Sequence, residues 1–480
     1  MKQDILGQIG PDDTVIQTLL DYYRLPAESL NAVSLAVDSV SGAAGYFQFG
    51  TQNICYGRCG SGNSKELRGY SEFEALKDVR RDGSVIHLPF DFNEVIENLR
   101  LERYWKKGAG GLDQFAANET IRKFYYFVRK SLPFPVRRQL QRIYFRDWKD
   151  LQFPAWPVDF TVDSLHEELL RLIMQATGVK KLPFIWFWPE GAPNSLIMTH
   201  DVETAAGRDF TFQLMDLDDS YGFKASYQVI PEKRYVVPED YVREIRRRGC
   251  EFNIHDLNHD GHLYRERTEF ERRAAEINRY VHQYKTRGFR AGAMYRKQSW
   301  YDVFEFSYDM SVPNVAHLEP LRGGCCTVMP YFIGKIVELP LTTTQDYSLF
   351  HILNDYSIQL WQRELALLRG RNGLMSLLTH PDYLIERRER KIYESLLDYL
   401  RHMIAREKIW AALPGEVDDW WRARSQMTLV PRGDEWEIVG PEKDRARLAY
   451  AVLEGNHVVY DLPTDSAAAN RAPARVQSPG

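Results

Sequence analysis

The sequence predicts a mixed α/β protein whose central part is a strand–helix barrel. From about residue 190 to residue 412, short apolar segments typical of β-strands alternate with amphipathic segments typical of α-helices. This alternation is characteristic of βα units in a largely parallel sheet, which closes into a barrel when seven or eight units share it. The strands of such a barrel end at one mouth, so residues far apart in the sequence meet there.

Apolar runs and amphipathic patterns define the elements of this barrel. The predicted strands are Ser195–His200, Phe223–Val229, Cys250–His255, Phe289–Gly292, Phe306–Val312, Lys335–Leu341, Leu374–His380 and Ile409–Leu413. The predicted helices between them are Glu239–Arg248, Thr268–Tyr284, Ile358–Leu368 and Lys391–Ala405. Gly249 is a stop signal for the first of these helices, and Thr268 is expected to cap the first turn of the second.

The regions on either side of the barrel differ from it in composition. Residues 35–57 are rich in Gly, Ser, Val, Phe and Tyr, which favours β-hairpins, and residues 93–175 have mostly helical patterns with proline-rich turns. A tail rich in Ala, Pro and Ser begins at Thr464 and is predicted to be disordered. We therefore expect an α+β N-terminal accessory domain (1–185), the barrel (186–415), a small C-terminal β-unit (416–463) with strands near Trp436–Val439, Leu448–Leu453 and His457–Asp461, and the tail (464–480).

The composition indicates a soluble globular protein without general affinity for nucleic acid. A chain of 480 residues is too long for one ordinary core, and its 44% hydrophobic and 27% charged residues are typical of globular proteins. The net charge of -4 lacks the basic excess that nucleic-acid binding needs. No apolar run is long enough to span a membrane, and the N-terminus has no pattern of a secretion signal. We expect a cytoplasmic protein with no transmembrane segment.

The cysteines support the same compartment. Their odd number and the absence of a paired framework predict reduced thiols. Cys55 and Cys59 are spaced C-x3-C without a second pair, whereas zinc sites of this kind usually have four ligands. A structural role is therefore favoured for these two cysteines.

Two carboxylates lie at the end of the first barrel strand. Residues two apart in an extended segment point to the same side, so Asp201 and Glu203 face one point. Two carboxylates at one point repel each other unless a cation neutralises one and leaves the other free to take a proton. The alternative is that they cap the following helix, and the pair by itself favours that structural role.

A pair of histidines adds to the evidence for a metal ion. His255 ends a predicted strand, and His259 follows four residues later in a polar loop. This spacing can place both rings on one ion, and imidazole is a good ligand for zinc and its transition-metal neighbours. Such pairs are common by chance, but the position after a strand and after an acidic strand end makes this one more specific. His262 is a weaker third candidate.

Two further strand ends supply a fixed cation and another histidine. The guanidinium of Arg290 can hold a nearby carboxylate in its ionised form. His380 has a side chain whose pKa is adjustable near neutrality, which suits a general acid. Each residue alone could equally be structural, as an ion pair or a core histidine. Together with the carboxylates and the histidine pair, they favour a hydrolytic site.

The carboxylate pair and the histidine pair resemble the first two motifs of the polysaccharide deacetylase family. This family is also called the NodB-homology group or carbohydrate esterase family four. Thr199-His200-Asp201-Val202-Glu203 is similar to a variant first motif in which one residue separates the two acids. His255 and His259 match the H-x3-H of the second motif. The resemblance implies that Asp201 is the catalytic base and Glu203 a metal ligand, although the two roles could be exchanged.

The later motifs are similar to the family to different degrees. Arg290 follows an aromatic residue as in the third motif, but Gly292 stands where a proline is usual. Leu378-Thr379-His380 matches the L-x-H of the fifth motif. The fourth motif, an Asp with a Trp, has only loose candidates in Asp309 and Trp300. The resemblance covers about residues 190–415 and implies a distorted seven-stranded βα barrel.

The resemblance also implies an activity, a cofactor and a substrate class. It suggests a metal-dependent amide hydrolase that deacetylates an N-acetylated sugar, glycan or glycan precursor, with His255 and His259 as metal ligands. The metal would be zinc, with cobalt, nickel, manganese and iron as alternatives. His380 would protonate the leaving amine. The aromatic side chains that could stack on a sugar ring, or could simply pack within the barrel, are Tyr295, Trp300 and Tyr383.

Two other functions stay open at this point. Relatives of this family resemble hydrolases of small cyclic amides such as ureides, which would use the same site on a small molecule. A closed pocket lidded by the N-terminal segment would favour that substrate, whereas an open groove would favour a glycan. A glycan-binding protein without catalysis is the alternative from another class. Stoichiometric metal would separate an enzyme from such a binding protein.

Overall fold

The chain forms two compact units. The first unit draws on residues up to Asn98, Thr161–Ala192 and the chain from Asp419 onward, and the second comprises Leu99–Phe160 and Pro193–Asp418. The computed structural model describes residues 11–30, 33–40, 42–51, 53–105, 139, 142–433 and 435–463. The predicted disordered tail and much of the predicted helical region 93–175 lie outside the described residues.

The helices and strands alternate through the second unit and are more irregular in the first. The helices are α1 (Pro11–Tyr23), α2 (Phe92–Arg100), α3 (Thr161–Thr177), α4 (Ala205–Tyr221), α5 (Glu239–Arg247), α6 (Arg267–Tyr284), α7 (Gln359–Arg369), α8 (Pro381–Leu384), α9 (Arg387–Glu407) and α10 (Pro414–Ser425). The strands are β1 (Ser34–Val37), β2 (Gly45–Gln48), β3 (Ile54–Gly57), β4 (Arg80–Asp82), β5 (Val85–Leu88), β6 (Lys181–Ile185), β7 (Ser195–Val202), β8 (Ser226–Val229), β9 (Glu251–His255), β10 (Gly288–Arg290), β11 (Tyr308–Asp309), β12 (Tyr331–Ile333), β13 (Ile336–Glu338), β14 (Leu374–Thr379), β15 (Trp410–Ala412), β16 (Thr428–Arg432), β17 (Glu435–Val439), β18 (Leu448–Glu454) and β19 (His457–Asp461).

A nine-stranded sheet organises the second unit. Its strand order is β12-β13-β11-β10-β9-β8-β7-β14, and β15 also pairs with β7. The pairs from β14 through β13 are parallel, and β12 runs antiparallel to β13. Each predicted barrel strand overlaps one of these strands, so the mixed α/β class is confirmed. The seven-unit closure stays a prediction.

The register of the parallel strands places the candidate residues at one edge of the sheet. Asp201 of β7 lies opposite Gln228 of β8, and Arg290 of β10 lies opposite His255 of β9. All eight residues of β7 are buried, because helices cover its outer face and neighbouring strands flank it on both sides. The carboxyl ends of β7, β9, β10 and β14 therefore meet at one mouth.

Helix α4 was not among the predicted helices. Its apolar stripe of Phe210, Leu214 and Met215 is buried against the sheet, but polar Thr211 and acidic Asp218 lie on the same buried face and weaken the pattern. The Thr204 side chain caps the helix by accepting a hydrogen bond from the Gly207 amide, and Gly222 ends it in the left-handed conformation at φ 83°.

The predicted cap of α6 was wrong. The carboxylate of Glu266, and not the hydroxyl of Thr268, accepts hydrogen bonds from the amides of Thr268 and Glu269. Glu266 has two acceptor oxygens and the negative charge that the positive end of a helix favours. The helix therefore begins at Arg267.

Small sheets make up the first unit. β2 and β3 form a hairpin, as the sequence predicts, whereas β1 pairs in parallel with β5. β16 and β17 form a two-stranded ribbon. β6 pairs antiparallel with β18, which continues to β19, so this sheet combines segments assigned by sequence to the N-terminal domain and the C-terminal β-unit. Among the described residues, no helix has the length and apolar character needed to cross a lipid bilayer.

A buried arginine connects three segments of the first unit. Arg424 of α10 donates from Nε to the carbonyl of Trp186 (3.0 Å) and from Nη2 to that of Ile185 (2.8 Å). Nη2 also reaches the carbonyls of Tyr22 and Tyr23 at the end of α1. Burial lowers the pKa of Arg424 to about 9. The cation is stabilised by carbonyl dipoles, and these carbonyls depend on it as their donor.

Replacing this arginine is expected to destabilise the protein. Arg424→Met would keep the apolar stem but leave buried carbonyls without a donor, at about 1–3 kcal/mol for each unsatisfied group. We expect the free energy of unfolding in urea to fall by at least about 3 kcal/mol. Arg432→Met is the control, because that side chain is 77% exposed and should change stability by less than about 0.5 kcal/mol. Equal effects of the two changes would contradict this role of Arg424.

Candidate metal centre

The mouth of the sheet brings two carboxylates, three histidines and an arginine together. His255 Nε2 lies 3.6 Å from Oδ2 of Asp201. His259 Nε2 lies 3.0 Å from Oε1 of Glu203, and His380 Nε2 lies 3.9 Å from the same oxygen. These residues come from the ends of β7, β9 and β14 or from the loops that follow them, as parallel topology requires.

Three of these side chains have the geometry of a metal site. One ligand atom each from Glu203, His255 and His259 lies within 4.8 Å of the other two. The Nε2 atoms of both histidines are buried, and among the described residues neither has a partner in hydrogen-bond geometry. Nε2 of His259 is in ionic contact with the Glu203 carboxylate, at 3.0 Å. Buried polar atoms normally have partners, so these nitrogens fit the coordination of a cation.

The ring of His255 is held in the tautomer that a metal ligand needs. Its Nδ1 lies 3.1 Å from the carbonyl of Arg290, to which it donates, so the lone pair is on Nε2. Burial lowers the pKa of His255, which favours the neutral ring. Burial would also lower the pKa of His259, but the carboxylate of Glu203 raises it. For Glu203, burial would raise the pKa, but His259 outweighs it and lowers the pKa well below the usual range.

A tight turn after β9 carries His259 back over the site. Asp256 and His259 both adopt left-handed conformations, at φ 56° and φ 52°. A Cβ on Gly292 would lie 2.6 Å from Oδ2 of Asp256 and 2.9 Å from Cδ2 of His259. Glycine at this position thus leaves room for the loop that carries Asp256 and His259.

Arg290 holds Asp201 ionised and oriented. The guanidinium is fully buried and donates from Nη1 to Oδ1 of Asp201 (2.9 Å) and to Oγ1 of Thr199 (2.8 Å). Its Nε donates to the carbonyl of Met310. Burial alone would raise the pKa of Asp201, but Arg290 and the nearby histidines outweigh burial and lower it. Oδ2 of Asp201 therefore faces His255 as an ionised, proton-accepting oxygen.

Asp346 is a candidate functional residue that the sequence did not reveal. Its Oδ1 lies 2.6 Å from Nδ1 of His380, and its Oδ2 accepts the His380 amide at 2.7 Å. Burial would lower the pKa of His380, but Asp346 raises it to about 10, with smaller contributions from Glu203 and Asp201. The protonated ring presents Nε2–H to the site. Asp346 lies beyond β13, in a helical turn that leads into the short helix Ser348–Leu353, away from any predicted strand end. The signal that could have found it is the need of a general acid for a carboxylate partner.

The loose candidates for the fourth motif lie elsewhere. Asp309 accepts from Oγ of Ser311 at 2.5 Å and lies opposite Glu338 in the pairing of β11 with β13. Trp300 packs on Phe270 of α6, with Lys297 over its ring at 3.6 Å. Both positions belong to the packing around the sheet, so Asp346 supplies the carboxylate that contacts His380.

The remaining candidates divide between the mouth and its surroundings. Tyr383 is half-buried, and its ring centre lies 5.0 Å from that of His380. Tyr295 is half-buried in the turn after Gly292. His262 is 42% exposed, and its Nδ1 lies 3.7 Å from Asp260 rather than at the ligand cluster. Tyr383 is thus in contact with a candidate catalytic side chain.

A second network of buried polar side chains connects the strands that carry the site. His200 points to the opposite face of β7 from Asp201, with Nδ1 2.8 Å from Oγ1 of Thr379 on β14. Its Nε2 lies 3.1 Å from Asp218, which also accepts hydrogen bonds from the hydroxyls of Tyr227 and Tyr393. This buried network connects β7, β8, β14, α4 and α9, and it holds the strand ends at a constant separation.

Comparison with known proteins identifies similar solved structures. No protein-family model and no curated protein matches the sequence. A putative polysaccharide deacetylase from Mycobacterium smegmatis has a TM-score of 0.40 at 16% identity, covering 50% of this chain and 93% of that chain. The PuuE allantoinase gives 0.41 at 11% identity, covering 49% and 92%. A family 4 acetyl xylan esterase from Clostridium thermocellum, in complex with cobalt, gives 0.32 at 13% identity, covering 47% and 91%. Polysaccharide deacetylases are thus among the structures that about half of this chain resembles.

The pair of Asp346 and His380 predicts a pH dependence of the metal-free protein. Because folding raises the pKa of His380 from 6.5 to about 10, its protonated form stabilises the fold fully below pH 6.5, and this stabilisation is lost as the pH rises to about 10. Asp346→Asn should lower the pKa of His380 and remove this part of the pH dependence. Urea unfolding between pH 6 and 10, with an NMR titration of His380, tests both effects. Asp302 is exposed, so Asp302→Asn is the control and should give the wild-type curves. If Asp346→Asn also gave the wild-type curves, the pairing of Asp346 with His380 would be refuted.

Proposed function

We propose that this protein is a metal-dependent hydrolase of carbon–nitrogen amide bonds that removes the acetyl group of an N-acetylated sugar, glycan or glycan precursor. The observation that carries this proposal is the pair of buried Nε2 atoms of His255 and His259, which lie beside Glu203 and have no partner in hydrogen-bond geometry within the described part of the chain. An ionised aspartate and a protonated histidine flank them, and these are the groups that amide hydrolysis needs.

Glu203, His255 and His259 would hold the divalent ion. Two imidazoles and a carboxylate suit zinc, with cobalt, nickel, manganese and iron as alternatives, and leave positions open for water and substrate. When bound, such an ion supplies Lewis acidity and lowers the pKa of water. His255 donates from Nδ1 to the carbonyl of Arg290, and this hydrogen bond points its Nε2 toward the proposed metal position even without an ion.

Asp201 would act as the general base. Its Oδ1 is occupied by Arg290, which leaves Oδ2 to accept a proton from the attacking water. Arg290 keeps the carboxylate ionised despite its burial, so the base is ready at neutral pH. Exchange of roles with Glu203 is the alternative, but Glu203 contacts His259 directly and is the better placed of the two as a ligand.

His380 would act as the general acid. Asp346 holds its Nδ1, so the transferable proton is on Nε2, which faces Glu203 across 3.9 Å. An amine is a poor leaving group unless its nitrogen is protonated as the bond breaks, and His380 can supply that proton. Asp201 and His380 approach the centre from different strands, which separates the base from the acid.

A small cyclic amide is a second candidate substrate, because access to the site is narrow. Side chains of Asp201, His255 and His380 are at most 4% exposed, and Glu203 is the more open at 26%. The chain before the sheet also packs nearby: Arg142 donates to the carbonyl of His351, whose ring lies 4.9 Å from that of Tyr383. Such enclosure favours a compact substrate.

The buried thiols support a reducing compartment such as the cytoplasm.

Removing either histidine ligand should remove metal and activity together. We expect purified wild-type protein to hold one equivalent of metal, and His255→Ala and His259→Ala to lose it together with hydrolysis. Metal content is measured by inductively coupled plasma mass spectrometry. Acetate release from N-acetyl sugars and ring opening of cyclic amides distinguish the two substrate classes. His262→Ala is the control and should retain both properties. Wild-type protein without metal, or inactive on both panels, would contradict the proposal.

Substitution of the carboxylates separates base from ligand. Asp201→Asn should retain metal while turnover falls by about 100-fold or more, because the proton acceptor is lost. Glu203→Gln should instead lose metal. The opposite pattern, with metal lost in Asp201→Asn and retained in Glu203→Gln, would exchange the two assignments. Metal content and turnover measured on the same samples decide between them.

A further inference from the structure

We propose that Asp382 is a positioning residue for the metal ligand Glu203, an inference that rests on the proposed metal site. Asp382 lies two residues after His380, in the short helix α8 that follows β14. This helix packs against α4 and β7. The sequence analysis assigned no role to Asp382.

Both oxygens of Asp382 bind the segment that carries Glu203. Oδ2 accepts a hydrogen bond from the amide of Glu203 at 3.0 Å. Oδ1 accepts a hydrogen bond from the hydroxyl of Thr204. Thr204 in turn caps α4 by accepting from the Gly207 amide. One carboxylate therefore fixes the backbone at two consecutive residues, immediately after the strand.

Glu203 needs such support because it lies beyond the ladder of the sheet. The described pairing of β7 with β8 ends at Val202, so strand hydrogen bonds do not hold the Glu203 peptide. The bond from Asp382 takes the place of a ladder bond at this position. It sets the direction in which the Glu203 side chain leaves the backbone toward His259, 3.0 Å away. Partners of this kind orient ligands before a metal binds.

The same short segment positions the general acid. His380 directly follows β14 and faces the site, while Asp382 reaches across to the end of β7. A shift of this segment would move the acid and the ligand together. Residues 380–382 and their contacts thus help to set the distance between His380 and Glu203.

Gly207 leaves the room that Asp382 occupies. A Cβ on Gly207 would lie 2.5 Å from Cγ of Asp382 and 2.8 Å from its Oδ1. Gly207 is buried in the first turn of α4, where alanine would favour the helix more than glycine does. Glycine here costs helix stability and admits the carboxylate. Helix capping alone would not require the second bond, to the Glu203 amide.

Zinc affinity tests this inference. Zn²⁺ is titrated into metal-free full-length protein in competition with a chromophoric chelator, and the thermal midpoint of each metal-free variant is recorded. Asp382→Ala and Gly207→Ala should each weaken zinc binding by about 10- to 100-fold. Asp382→Asn should restore most of the affinity, because its amide oxygen can still accept from Glu203 while its NH2 donates to Thr204. Gly370→Ala, where a Cβ has ordinary contacts of 3.5 Å or more, is the matched control.

A double substitution identifies the route of the effect. Adding Asp382→Ala to Glu203→Gln should cause no further loss of affinity, because the residue that Asp382 positions is already gone. An equal loss in both backgrounds would overturn the inference, as would unchanged affinity in Asp382→Ala and Gly207→Ala. A lower thermal midpoint with unchanged affinity would reduce Asp382 to a helix cap. If Asp382→Asn binds as weakly as Asp382→Ala, charge and not positioning is responsible. Wild-type protein that binds no zinc would instead overturn the proposed function, and this inference with it.

Discussion

Arg290 is the residue on which the rest of the site depends. Its side chain bonds Thr199 and Asp201 of β7 and the carbonyl of Met310 after β11, so one buried cation joins three strands. Its own carbonyl accepts from Nδ1 of His255 and from the amide of Asp256. A buried charge is tolerated only when paired and hydrogen-bonded, and here the pairing also orients Asp201, the proposed base, and His255, a proposed metal ligand.

Three ionisable groups at the mouth are each held by a partner at one atom, and a second atom faces the site. Arg290 holds Oδ1 of Asp201 and leaves Oδ2, and Asp346 holds Nδ1 of His380 and leaves Nε2. His255 is held through Nδ1 in the same way. This arrangement reduces the reorganisation that a reaction would require, since the groups already stand in their working orientation. It also concentrates the unpartnered atoms at one point.

Local pattern and long-range contact account for different parts of the fold. The apolar runs of β7, β9 and β14 are visible in the sequence because each is a continuous buried segment, and the ends of those runs carry the candidate residues. Helix α4 escaped the same reasoning because polar Thr211 and acidic Asp218 interrupt its apolar stripe. The pairing of β6 with β18 could not be predicted from the sequence of either segment, because hydrogen bonds between distant strands do not change the residue pattern of either strand.

By itself, the sequence determined the α/β class, the strand ends and the residues that project from them, because period and residue type are local properties. Only the tertiary structure decided which groups support them. Asp346 lies 34 residues before His380, and Asp382 lies 179 residues after Glu203, so both become partners through folding alone. The need for glycine at Gly292 and Gly207 also arises from folding, because the side chains that fill the space beside these residues come from elsewhere in the chain. Spacing along the chain can predict which side chains carry a reaction, but the packing of distant segments decides how each one is held.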